Sequence, residues 1–266
     1  MKKLNYFASL AHIIINNNKE FASNKTIISN LFKIDNESKN VELIKNRLTI
    51  IDSYYSTQMS KRLYGIEDLA NSLSAFSDNE LKKEVILFLQ NPKEKTKINE
   101  LFTSKYGIDK SGNQYKKAIS IISKYLYFLN EFNFPIYDSL AINSYKLLQK
   151  NNILAGFDNI NETNYFECIN KLNSKSEIEN YEKLDNLLWL IGKLQKGSFS
   201  LLVNKEQYLQ IINLSDIKNN LSGIKSEEKD LIIREEVRNN YFKTNLFSSE
   251  QQEFFEFAFG LINKYN

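Results

Sequence analysis

Residues that turn a chain are scarce here. Eight glycines and two prolines punctuate 266 residues, too few for the hairpins and bulges of a β-rich protein of this length. Leu, Lys, Glu, Ile and Asn dominate, and apolar residues recur at helical rather than alternating spacing. The expected fold is therefore all-α, a multi-helix bundle. Helical patterns run over 4–17, 22–32, 40–76, 78–90, 94–104, 114–130, 138–150, 163–173, 178–196, 204–220, 227–243 and 248–264. Polar or Gly/Pro-bearing stretches such as NPKEKTK, KYGIDKSGN, NFP and NNILAGFDN separate them. Residues 1–196 read as a helical core, and 197–266 as a C-terminal set of amphipathic helices packed on it.

The chemical inventory is narrow. A single cysteine, Cys168, rules out an intramolecular disulfide and suits a reducing cytoplasm. The opening MKKLNYFASLAHIII faintly imitates a signal peptide, but Asn5 and His12 interrupt it and no small-x-small cleavage site follows. No run of about 18 apolar residues is present, so a soluble, cytoplasmic protein is expected. His12, the lone histidine, lies on the apolar helix LAHIII and reads as a core or partly buried residue. One His and one Cys leave little room for zinc sites or for Ser-His-Asp and Cys-His catalysis. Phosphate-cradling glycine loops are absent from the sequence. An enzyme built on this chain would work with Asp, Glu, Lys, Tyr or Ser, and with no metal or other cofactor.

Charge is unevenly spread. Residues 1–150 carry 22 basic against 15 acidic side chains, and residues 151–266 carry 13 against 17, although the whole chain is only +3. A basic first half points to an anionic partner, nucleic acid being the commonest. Frequent lysine explains the same counts.

Three helix faces draw attention. In the first, Ala118, Ile119, Ile122, Tyr125, Leu126 and Leu129 form an apolar stripe, with Lys124 outside it on the flank of Lys117. A solvated lysine whose stem covers apolar surface accounts for that position. The helix stops at Asn-Phe-Pro, and Asp138 then stands where an N-cap opens the next helix. Capping fixes a carboxylate at the positive end of a helix dipole. There it can stabilise a developing cation, while a nearby desolvated lysine becomes a competent amine nucleophile. In the second face, Val41, Ile44, Leu48, Ile51, Tyr55, Met59 and Leu63 share a stripe, with Tyr54, Gln58 and Lys61 on an adjoining arc. An aromatic, an amide and a cation in one row could enter a duplex and hold its backbone, or simply form a polar flank. In the third, Tyr181, Asp185 and Trp189 stand opposite a leucine stripe, with Gly192 among them. Trp189 there must pack on a second element or a ligand, and Gly192 permits close approach.

Together, SKYLYFLNEFNFPIYDS, IDSYYSTQMSKRLYGIEDLA and LDNLLWLIGK resemble segments of the OGG-like branch of the helix-hairpin-helix DNA glycosylase superfamily, whose best-known substrate is 8-oxoguanine. The likeness spans about residues 40–196. It implies a helical fold with a cleft between two lobes, acting as a monomer on double-stranded DNA that contains a damaged or modified base. Carried over by position, Lys124 matches the family's Schiff-base lysine and Asp138 its essential aspartate. Gln58, with Tyr54 beside it, falls near the intercalating amide, Lys61 and Arg62 near backbone contacts, and Asp185 and Trp189 where the base pocket closes. The sequence departs from the family just before the lysine, where AISIIS replaces a Gly-rich turn; Lys116 and Lys117 would then hold the phosphate. The mechanism implied is nucleotide flipping, cleavage of the N-glycosidic bond and, through an imine on Lys124, possible AP lyase activity, in base-excision repair or in defence against phage DNA with modified bases. A carboxylate–lysine nuclease is a poor fit, since the E-x-K of ESK at Glu37 falls in a polar loop. The other reading is a non-enzymatic α-helical nucleic-acid-binding or interaction module.

Overall fold

The computed structural model describes residues 2–197, 202–213, 223–241 and 245–263. Among them are thirteen α-helices and no strand, with three isolated β-bridges. Much of the asparagine has a local use. Asn18, Asn40 and Asn180 cap α2 (Lys19–Phe32), α3 (Val41–Tyr55) and α10 (Tyr181–Gln195), each accepting from first-turn amides. Between these lie α4 (Gly65–Leu73), α5 (Asp78–Gln90, opened by a Ser77–Glu80 capping box), α6 (Lys97–Thr103), α7 (Ile119–Leu129), α8 (Ser139–Lys150) and α9 (Tyr165–Ser176). The N-terminal helix is α1 (Lys2–Asn17). None of the described helices is long and apolar enough to cross a membrane.

Two helices organise the packing. α7 is buried from Ile121 to Leu129 and is contacted by α2, α3, α5 and α6. α10 lies against α1 and α8. Toward the C-terminus come α11 (Lys205–Asn213), α12 (Ser226–Glu236), a π-helical turn (Val237–Tyr241) and α13 (Ser249–Asn263), which packs on α1, α8 and α10. Arg234 donates to the carbonyls of Leu194 and Gln195, closing the C-terminal end of α10. The expected helices over 204–220, 227–243 and 248–264 extend into residues 214–220, 242–243 and 264, which lie outside the described residues.

Two expected helices are shorter than their patterns. The 40–76 pattern breaks after Tyr55, where Ser56 adopts a left-handed conformation. Asp52 accepts from the Thr57 hydroxyl and from the amides of Met59 and Ser60, nucleating a 3₁₀ turn (Met59–Lys61) in place of further α-helix. The arc drawn through Tyr54, Gln58 and Lys61 therefore does not exist as a helix face. α7, for its part, begins at Ile119 rather than 114. The preceding residues form a loop pinned by an Asp109–Asn113 turn and by bridges from Leu63 to Ile108 and from Lys105 to Lys117.

One buried ion pair ties this framework together. Arg47, fully buried on α3, meets both carboxylate oxygens of Asp78 at 2.9 Å. It also donates to the Tyr125 hydroxyl and to the carbonyls of Leu31 and Ile34, so all five N–H groups have partners. Removing one partner leaves an uncompensated buried charge. Asp78→Ala should thus lower unfolding free energy by about 3–5 kcal/mol, read from urea denaturation, and a loss below 1 kcal/mol would show the pair to be dispensable.

Candidate active site

α7, α8 and α10 bring Lys124, Asp138 and Asp185 to one cavity of about 410 Å³. The Lys124 position follows from how deeply α7 is embedded. With apolar residues on nearly every side, the helix has no solvated flank, and Lys124 is only 2% exposed. The expectation of a residue outside the buried stripe fails for this reason. Its ammonium donates to the Ser120 hydroxyl, one turn back, at 2.8 Å, and lies 5.5 Å from the centre of the Tyr55 ring. Burial lowers the lysine's proton affinity, and Asp138 and Asp185 oppose that shift.

Asp138 is placed by the loop after Pro135. The fully buried Ser123, on α7, accepts from the amide of Tyr137 at 2.9 Å and donates to the carbonyl of Ser120. The Tyr165 hydroxyl donates to the carbonyl of Ile136. The loop is thereby held to α7 and α9, and Asp138 caps α8 by accepting from Leu140 N–H at 2.6 Å. Ser120 thus accepts from both Lys124 and Ser123, and Ser123 in turn holds the loop that carries Asp138.

Asp185 occupies the facing wall. Burial first, and the neighbouring Asp138 next, push its carboxyl up to about 7, against the pull of Lys124 and Lys25. It is therefore protonated for part of the time at neutral pH. Asp185, Trp189 and Lys193 stand at i, i+4 and i+8 on α10 and all line the cavity. Trp189 meets the edge of Phe21 with ring centres 5.0 Å apart. Gly192 lets α8 approach: a Cβ there would lie 2.7 Å from Leu140 Cβ and 2.9 Å from the Leu140 carbonyl. Tyr181 points elsewhere, donating to Asn170.

Tyr54 also lines the cavity, together with Tyr55, whose stripe position had suggested a core residue. Gln58 is exposed with left-handed backbone and does not line it. Lys61, Lys116 and Lys117 are exposed. Arg62 is not a free surface cation: it donates to the carbonyls of Lys116 and Lys117 and lies over the Tyr115 ring, fixing the loop that carries the two lysines.

A whole wall was not anticipated from sequence. Ile15, Asn16, Phe21, Asn24 and Lys25 of α1 and α2 line the cavity, as does Asn186 of α10. Lys25 pairs with Glu182 and lies 3.8 Å from the centre of the Phe132 ring. The two ring nitrogens of His12 lie 2.9 Å from the side-chain amide of Asn16 and 3.0 Å from that of Asn186. Burial, then Lys25 and Lys183, lower its pKa while Glu179 opposes them. Nothing in the α2 sequence marks this wall, because it is the packing of α1 on α10 that brings it there.

Comparison with family models, curated proteins and solved structures returns no match.

Proposed function

We propose that this chain is a DNA glycosylase that excises a damaged or modified base from double-stranded DNA. The observation that carries the reading is the convergence of a buried lysine amine with two carboxyl groups on a cavity of about 410 Å³. That volume lies within the range of about 300–1,000 Å³ usual for small-ligand sites. The resemblance of the segments bearing Lys124 and Asp138 to the OGG-like glycosylases supports it. The exposed Lys61, Lys116 and Lys117, the last two held by Arg62, supply cations for the DNA backbone.

In the reaction, the nucleotide leaves the stack and enters the cavity. Asp138 stabilises positive charge on the deoxyribose as the C1′–N bond breaks and its electron pair departs with the base. Asp185 gives its proton to that base. The neutral Lys124 amine bonds to C1′; loss of its protons and opening of the C1′–O4′ bond, with O4′ taking a proton, yield an imine. The carboxylate–lysine nuclease has little support, because Glu37 accepts from the Asn79 amide and Lys39 pairs with Glu80. The remaining alternative, a helical nucleic-acid-binding module, leaves the burial of Lys124 without a use.

The direct test is incubation with a panel of damaged, genomic and phage DNAs, scoring free bases by mass spectrometry and abasic sites by alkaline cleavage. Release of a base at enzyme-dependent rates is expected; a panel left intact would remove the proposal. The rate should follow a bell-shaped pH profile. It rises as Lys124, whose proton affinity burial lowers, gives up its proton, and its alkaline limb reports the loss of the Asp185 proton. The same carboxyl affects folding. The folded protein holds this proton more tightly than the unfolded chain, so its contribution to stability falls as pH rises from about 4 to about 7. Asp185→Asn should accordingly flatten the alkaline limb and raise the melting temperature by about 5–10 °C more at pH 8 than at pH 5. Equal shifts at both pH values would mean that Asp185 titrates normally.

A further inference from the structure

Resting on the glycosylase reading, we infer that the base excised here carries an uncharged, polyhydroxylated substituent, such as a hexose, seated along α10 beyond Asp185. The groups assigned to bond cleavage gather at one level of the cavity. Lys124, Asp138 and Asp185 interact with one another there, and Tyr55 lies beneath the Lys124 ammonium. The cavity does not end at that level. The row Asp185, Trp189, Lys193 on α10 extends it by two helical turns, about 12 Å at 1.5 Å per residue. A single planar heterocycle placed against Lys124 would leave that length empty.

The lining of the extension has a particular chemistry. Trp189 and Phe21 meet edge to face and present apolar ring surface. Around them stand three side-chain amides, Asn16, Asn24 and Asn186, each able both to donate and to accept. His12 lies against both Asn16 and Asn186, and Asn186 is buried, which restricts its motion. Aromatic surface for C–H faces, with amides for vicinal hydroxyls, is the combination that recognises a sugar. Charge argues against an ionic substituent. The lining carries Lys25, Lys124 and Lys193 against Glu20, Asp138 and Asp185, and Lys25 is already paired with Glu182.

The test uses the full chain and three duplexes identical except at one base: 8-oxoguanine, 5-hydroxymethylcytosine, and 5-hydroxymethylcytosine bearing a glucosyl group. Base release is measured for each, and equilibrium binding is measured with the Asp138→Asn variant. Release of the glucosylated base should exceed that of either unsubstituted base by at least about tenfold. Phe21→Ala should reduce this selectivity by about tenfold, and Asn24→Ala, at a half-buried position on α2, should reduce it in the same direction should the first variant fold poorly. Equal or faster release of an unsubstituted base would overturn the inference and leave the glycosylase reading standing. Preferential binding of the glucosylated duplex without release would overturn the glycosylase reading instead and support the assigned occupant. Neither release nor preference would overturn both.

Discussion

Asp138→Asn is expected to lower base release by about 10³-fold, equivalent to about 4 kcal/mol of transition-state stabilisation, while leaving the fold and DNA affinity intact. The structural half of this expectation comes from the cap. Asp138 accepts from Leu140 N–H through one oxygen, and an asparagine carbonyl oxygen caps a helix about as well. Ser123 and Tyr165 hold the loop through backbone groups of Tyr137 and Ile136, which the substitution does not touch. The chemical half comes from charge. Asparagine has no negative charge with which to stabilise a cationic sugar. The measurement pairs single-turnover base release with thermal unfolding and duplex binding. A variant that still releases base within tenfold of the parent would make Asp138 a helix cap and nothing more. In a binding module without catalysis, every activity would survive the change.

Lys124→Met is expected to abolish the protein–DNA adduct that borohydride traps and to slow base release by about 10²–10⁴-fold. The folded protein should not suffer for it. The amine is buried and its proton affinity is depressed by that burial, so an apolar side chain of similar length relieves desolvation rather than leaving a charge unpaired. Its bond to the Ser120 hydroxyl, its contact with the Tyr55 ring and its attraction for Asp138 and Asp185 are lost, and Ser120 is half-buried. Loss of activity with equal or higher stability would separate a chemical role from a structural one. Base release at the parental rate with no trapped adduct would show instead that water is the nucleophile and that the lysine only tunes the carboxyl groups.

These roles fit the stabilities of the groups concerned. A lysine and a carboxyl group with shifted proton affinities in one cavity cost folding free energy, and such arrangements are concentrated where chemistry uses them. The Arg47–Asp78 pair makes the contrast. It is as deeply buried, but every donor is matched, it lines none of the cavity, and it joins α2, α3, α5 and α7. Buried charge alone therefore does not mark a site; incomplete matching beside open space does.

How much was legible beforehand varies by residue. A lysine-bearing helix, a proline and an N-cap in sequence allowed Lys124 and Asp138 to meet, and both line the cavity. Gly192 was visible as a place of close approach, and its neighbour proved to be Leu140 on α8. The end of α3 was misread because the apolar period continues through Met59, whereas Asp52 captures the next amides for a 3₁₀ turn. A carboxylate seven and eight residues ahead of free N–H groups leaves no mark in the hydrophobic pattern. Lys124 was placed on the wrong side for a related reason. An apolar stripe reports the face that one partner covers, and α7 has partners on several sides.

By itself, then, the amino-acid order determined the helical class, because so few residues can turn the chain and because asparagine, serine and aspartate mark the helix starts. It also determined which side chains were available for chemistry, since one histidine and one cysteine leave little else. Only the tertiary structure decided where those side chains meet. α1 and α2 reach the cavity by packing on and near α10, which follows them by about 150 residues in the chain. The physical reason is range. Capping and periodicity are interactions within one or two helical turns, whereas burial, desolvation and the enclosure of a cavity depend on which helices become neighbours.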